Sequence, residues 1–183
     1  MKKVIAVVFL VLLVGAVTSY AAGIKVGDKI GDFKLKDALT DKEYDFYNSD
    51  AFKGKVILLG YADVGHKDQN DHVSDALTAD PEIEKLKAEG KYAGLGIGDQ
   101  KGSWATPNFL IKKFAAEKQK KTGAIILLDP DHSILKLYGL KEQVSTYILI
   151  DKDHIVRYIY GGKVPIDNIP QIVELIKKYA EEK

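Results

Sequence analysis

The sequence predicts an α/β fold built on a mixed sheet, and three observations carry that prediction. Continuous apolar runs over residues 56–62, 92–97 and 124–128 suit strands covered on both faces, as in a parallel sheet. Segments with helical spacing and helix-start punctuation separate these runs. Residues 146–150 and 155–160 then lie close enough to pair as a hairpin, which adds antiparallel strands to a parallel core.

Each element has its own signal. Phe33, Leu35, Tyr44 and Phe46 alternate around the turn-like Leu39-Thr40-Asp41-Lys42, predicting an N-terminal β-hairpin. Gly54-Lys55 opens the first buried strand, and a polar helical stretch follows from about Lys67. That stretch breaks at Asp80-Pro81, where Asp80 can cap a second segment with proline at its first position and Gly90 can end it. Gly94, Gly96 and Gly98 fall inside the next strand. They are therefore not a dinucleotide fingerprint, which needs a turn between strand and helix. Thr106-Pro107 reads as a further cap-plus-proline start, and Trp104 before it as a packed anchor. The helix it opens has Leu110, Ile111, Phe114 and Ala115 on one stripe. It ends in Lys118-Gln119-Lys120-Lys121, where lysines face the negative end of the helix dipole. Ile169, Ile172, Val173, Ile176 and Ala180 keep helical spacing in a last helix from Asp167 to about Glu181.

Composition bounds the function. The chain has 183 residues, 27 Lys+Arg against 26 Asp+Glu, no cysteine and one methionine, Met1. Near-zero net charge lacks the footprint of a nucleic-acid binder. Without cysteine there is no disulfide, thiolate nucleophile or thiolate metal site. Lys2 and Lys3 precede an apolar run from Val4 to Val17, and Ser19 and Ala21 occupy the −3 and −1 places of a cleavage site. The apolar core of about 14 residues is short for a bilayer span of roughly 20. The expected organisation is a signal peptide over residues 1–21 and a single domain over 22–183, exported and free of the membrane after cleavage. An uncleaved anchor is the alternative. A lipoprotein is excluded because no cysteine is available for the lipid. Cleavage would remove Met1 and leave no sulfur in the mature chain.

Gly54-Lys55-Val56-Ile57-Leu58-Leu59-Gly60-Tyr61-Ala62-Asp63 resembles the strand entering the active site of thioredoxin-fold proteins, of the ResA-like reductase and AhpC/TSA peroxiredoxin kind. Leu127–His132 with Leu137–Leu140, and Tyr147–His154, resemble the later segments in the right order, so the likeness spans roughly residues 25–181. The resemblance implies a thioredoxin-like fold: a mixed central sheet flanked by helices, with an N-terminal β-hairpin. Carried over from Gly54, the family's redox pair falls on His66 and Gln69, and its cis-proline on Ser145. Neither imidazole nor amide forms a mixed disulfide. The signal segment, the Gly54-Lys55-Val56 entry, the cysteine-free helix start, the strand ending near Asp129 and Ser145 are together similar to the YtfJ-type family of small periplasmic proteins, which implies fold and location more than activity.

The former active-site corner reads Asp63-Val64-Gly65-His66-Lys67-Asp68-Gln69-Asn70-Asp71-His72. Four readings fit it. The residues favour a solvated loop with Asp68 or Asn70 capping the helix. A binding surface for a periplasmic protein or peptide would draw on Asp63, His66, Lys67, Gln69, Ser145 and Thr146. A metal site would use Asp63, His66 and His72, although histidines six positions apart do not have a one-face helical spacing. An acid–base role would fall on His66, with no nucleophile beside it. His132 and His154 each close an Asp-x-Asp-x turn and read as turn residues with positive φ. The expected function is an exported thioredoxin-fold binding or interaction module without thiol chemistry and with no cofactor. The alternatives are a cysteine-independent enzyme using His66 and a weak metal-binding protein.

Overall fold

A computed structural model describes residues 23–182, so the expected signal segment lies outside the described residues. The N-terminal hairpin is β1 (Lys34–Asp37) and β2 (Glu43–Asp45). Next come β3 (Val56–Ala62), α1 (Asp71–Ala79), α2 (Pro81–Ala88), β4 (Tyr92–Asp99) and α3 (Asn108–Thr122). The chain finishes with β5 (Ile125–Asp129), α4 (Ser133–Tyr138), β6 (Thr146–Ile150), β7 (Val156–Gly161) and α5 (Ile169–Glu181). All seven strands form one sheet, ordered β2-β1-β5-β4-β3-β6-β7. Strands β3, β4 and β5 are parallel, and β6, β7 and the hairpin are antiparallel, as the apolar runs and the hairpin predict.

The sheet buries both faces. Ile57, Leu59 and Tyr61 of β3 join Leu95, Ile97 and Ile148 on one side, beneath Phe33, Phe46, Phe52 and the α4 residues Ile134 and Tyr138. Val56, Leu58, Tyr92 and Leu149 point the other way, toward Val73 and Leu77 of α1, Ile83 of α2 and Ile172 and Ile176 of α5. This double burial is why the central strands read as unbroken apolar runs and not as alternating ones. Each fully buried aliphatic or aromatic side chain contributes about 1.5–3 kcal/mol by leaving water.

An aspartate closes every strand before β7. Asp37, Asp45, Asp99 and Asp129 are the last residues of β1, β2, β4 and β5, while Asp63 and Asp151 directly follow β3 and β6. Each carboxylate accepts backbone N–H groups of the turn it opens: Leu39 and Thr40 for Asp37, Asn48 for Asp45, His66 for Asp63, Gly102 for Asp99, Ser133 and Ile134 for Asp129, and Asp153 and Ile155 for Asp151. Aspartate suits these places because its short side chain pairs with the backbone a few residues on.

Several local expectations need correction. The helix after β3 starts at Asp71, not near Lys67, because residues 63–70 form a chain of turns. Neither Asp68 nor Asn70 caps it through a side chain: Asn70 holds the N-cap position, but its amide is used elsewhere. Thr106 is not a cap either, since α3 begins one residue later behind Pro107. Trp104 is 86% exposed and anchors nothing. The last helix opens with a 3-10 turn over Ile166–Asn168 before α5. Asp80 does cap α2, accepting from the N–H groups of Glu82 and Ile83. His132 and His154 do hold left-handed turns, at φ 64° and 65°.

Candidate functional site

The site gathers at the carboxyl ends of β3, β4 and β5, where an open parallel sheet presents the loops that follow its strands. Asp63, 8% exposed, accepts from the His66 N–H at 2.9 Å, and the same Oδ1 lies 2.8 Å from His66 Nδ1. The carboxylate fixes the ring, which is about one-third exposed, and Nε2 has no hydrogen-bond partner among the described residues. Lys67 pairs with Asp68 and rests its ammonium 4.8 Å from the centre of the Phe114 ring. The basic end of α3 serves more than the helix dipole: Lys118 pairs with Asp71, and Lys121 with Asp71 and Asp75, tying α3 to α1. Partial burial works against ionisation of Asp71, yet these two lysines hold its carboxyl below the ordinary value.

Asn70 is the connection that sequence spacing could not suggest. Its Nδ2 donates to Ser145 Oγ at 3.1 Å and to the Gly162 carbonyl at 3.0 Å, and its Oδ1 accepts from the Val164 N–H at 2.8 Å. Asn70, Ser145 and Val164 are all buried. The 63–72 segment is thus stitched to the start of β6 and to the loop after β7. Thr146 is buried in the sheet opposite Tyr61. Gln69 lies half-buried, with its Oε1 unpartnered. His72 turns from the corner, its Nε2 2.7 Å from the Val164 carbonyl. The structure therefore brings Asp63 to His66 and Asn70 to Ser145, but does not bring His72 to the first pair. Among the described residues no three His, Cys, Asp or Glu side chains are placed to hold a metal ion.

A second cluster lies behind the corner. Asp99 and Asp129 are register partners on β4 and β5, both almost fully buried. Tyr61 donates to Asp129 Oδ2 at 3.1 Å, and burial, reinforced by both carboxylates, pushes its hydroxyl pKa far up, so it stays a donor. His132 Nε2 is 2.9 Å from Asp99 Oδ1 but out of line for a hydrogen bond. Ser103 Oγ donates to the Asp99 carbonyl and accepts from the Val64 N–H, joining the two clusters. The sequence signal for this cluster was the recurrence of aspartate at strand ends.

Beside the corner, beneath α3, a cleft of about 390 Å³ opens on the sheet. Its floor is glycine: Gly94, Gly96 and Gly98 on β4, with Gly60 paired across to Gly96 on β3. Ile111, Phe114 and Ala115 of α3 face it. A sealed dry void of this size would cost about 9 kcal/mol at roughly 24 cal/mol per Å³, as much as a domain's whole stability of about 5–15 kcal/mol. The cleft is not sealed, since exposed Asp68, Thr78 and Glu117 line its rim.

Residues 17–179 match the family described as bacterial protein of unknown function (YtfJ_HI0045). The chain belongs to the YtfJ family. No curated protein sequence matches it. Solved structures similar to this YtfJ protein include a putative thiol:disulfide interchange protein DsbE from Chlorobium tepidum, 21% identical with a TM-score of 0.60 over 86% of this chain and 99% of that one. A secreted thiol-disulfide isomerase from Corynebacterium glutamicum is 18% identical with a TM-score of 0.63 over 84% and 86%. The peroxidoxin BcpB from Mycobacterium tuberculosis is 18% identical with a TM-score of 0.60 over 87% and 99%. These likenesses establish a thioredoxin-like fold for the YtfJ protein and nothing further. Its 183 residues contain no cysteine, so its own side chains cannot carry out thiol exchange. Among the described residues no helix is long and apolar enough to cross a membrane.

Proposed function

We propose that this YtfJ-family protein is an exported, single-domain binding module, released to the periplasm by cleavage after residue 21, that recognises a protein or peptide at the 63–72 corner without thiol chemistry. One observation carries the reading: Asp63 holds His66 at 2.8 Å, at a position that the resemblance assigns, with Gln69, to the family's redox pair. A fixed, partly exposed imidazole with Lys67 and Gln69 beside it supplies donors and acceptors to a partner. Lys67, Gln69, Ser145 and Thr146 complete the proposed surface, the last two through the backbone they support.

The test pairs two measurements on the purified protein. Disulfide reduction and peroxide consumption are expected at background level; catalytic turnover of either would overturn the reading. Capture from periplasmic extract is expected to recover a partner that His66→Ala loses, and identical recovery by both proteins would also overturn it. The Asp63–His66 contact favours a second reading as well, a cysteine-independent enzyme in which Asp63 orients His66 as acid–base group. That reading requires His66→Ala to abolish turnover of a substrate which the wild type consumes.

A further inference from the structure

The glycine-floored cleft beneath α3 has a distinct chemistry. A strand between two helical layers ordinarily fills its face with branched side chains, yet β4 presents glycine at three successive positions of one face. The facing helix α3 lines the cleft with the apolar side chains of Ile111, Phe114 and Ala115. Cβ atoms at Gly96 and Gly98 would approach Ile126 Cδ1 to 2.5 Å and Leu128 Cδ2 to 3.2 Å, so these β5 side chains already lean over the floor. Ile126 and Leu128 line the cleft together with the glycines.

Charge at the cleft is uneven. Six carboxylates and four lysines line it. Lys67, Lys87, Lys118 and Lys121 each pair with a carboxylate of the helices or the preceding loop. Asp63, whose side chain is 6% exposed, pairs with no lysine among the described residues. Its Oδ1 is taken by His66, while its Oδ2 takes part in no hydrogen bond among the described residues. A carboxylate oxygen of a cleft-lining residue that has no protein donor can take one from a ligand.

We propose that the cleft binds a small amphiphile consisting of an aliphatic or aromatic body and a single amine, with the body on the glycine floor and the amine on Asp63 Oδ2. This goes beyond the partner-binding reading and does not depend on it: the ligand occupies the sheet face under α3, and a protein partner meets the exposed side of His66.

The test titrates the full purified protein by calorimetry with n-octylamine, n-octanol and octanoate, all below their aggregation concentrations. Octylamine is expected to bind saturably at one site, octanol at least tenfold more weakly, and octanoate more weakly still. Asp63→Asn should reduce octylamine to the affinity of octanol. Ala115→Leu, which fills the channel from α3, should weaken both by at least tenfold while leaving His66 untouched. If Ala115→Leu does not fold, Gly98→Ala serves, its Cβ meeting a side-chain end at 3.2 Å. Non-saturable uptake, octanoate or octanol binding as tightly as octylamine, or indifference to the filled channel would each overturn the proposal. Partner capture by the cleft-filled variant keeps this failure separate from failure of the partner-binding reading.

Discussion

Replacing Asn70 by alanine separates two physical roles by magnitude. As a helix N-cap on a solvated loop, this asparagine would be worth about 1 kcal/mol. Its observed place makes a larger demand. Alanine strips the buried Val164 N–H of its acceptor, and an unsatisfied buried donor costs roughly 1–3 kcal/mol. It also removes the donors to Ser145 Oγ and the Gly162 carbonyl, each bond contributing about 0.5–1.5 kcal/mol net. Together these put the loss near 4 kcal/mol, enough to be unmistakable in a domain of ordinary stability. Urea unfolding followed by circular dichroism measures it, as a drop in midpoint at unchanged m-value. Ser145→Ala is the internal control. It removes one partner and leaves the other two bonds of Asn70, so it should cost only about 1 kcal/mol. An Asn70→Ala loss of 1 kcal/mol or less, or a Ser145→Ala loss of the same size as Asn70→Ala, would refute the clamp.

Other expectations follow from the same geometry. Asp129→Asn should destabilise by about 2–4 kcal/mol in chemical denaturation, because an amide cannot accept from Ser133, Ile134 and Tyr61 as the carboxylate does. Burial and Lys29 lower the imidazole pKa of His154, so the folded chain takes up that proton less readily than the unfolded one. Stability should therefore be full above about pH 6.5 and decline below it, and His154→Asn, which tolerates the φ of 65°, should flatten that decline in melting temperature against pH. Asp71 titrates in a different window. Its lowered pKa gives a contribution present above about pH 4 and lost in stronger acid, which Lys118→Met should diminish in acid unfolding. Trp104→Ala should leave the unfolding free energy from urea titration within about 0.5 kcal/mol of wild type, since the side chain is almost wholly exposed.

Much of the fold was legible because its signals are local or periodic. Unbroken aliphatic runs mark β3, β4 and β5, and Asp80-Pro81 marks the start of α2 with the hydrogen bonds its residue types imply. Helix α4 escaped because six residues are too short for a period, and its cap comes from Asp129, outside the usual one-residue position. Asn70 escaped for a different reason: its partners are 75 to 94 residues away, and a cap and a clamp use the same residue type. At the candidate site the Asp63–His66 pair was within reach, since three residues separate them across one turn. The cleft was not. The glycines of β4 place it on a strand, but its depth depends on what α3 sets opposite them.

The strand-terminal aspartates have a consequence for how such a chain tolerates change. Each turn at the ends of β1 to β6 is closed by hydrogen bonds that span five residues or fewer, while the 63–72 corner is also tied to other loops through Val64 and Asn70. Substitutions in loops that share no partner should then combine nearly additively, whereas those at Asn70 and Ser145, or at Val64 and Ser103, should couple. Turns closed within themselves can change their exposed residues while the packing beneath them stays as it was, and the 63–72 corner can change only where those cross-loop bonds are kept.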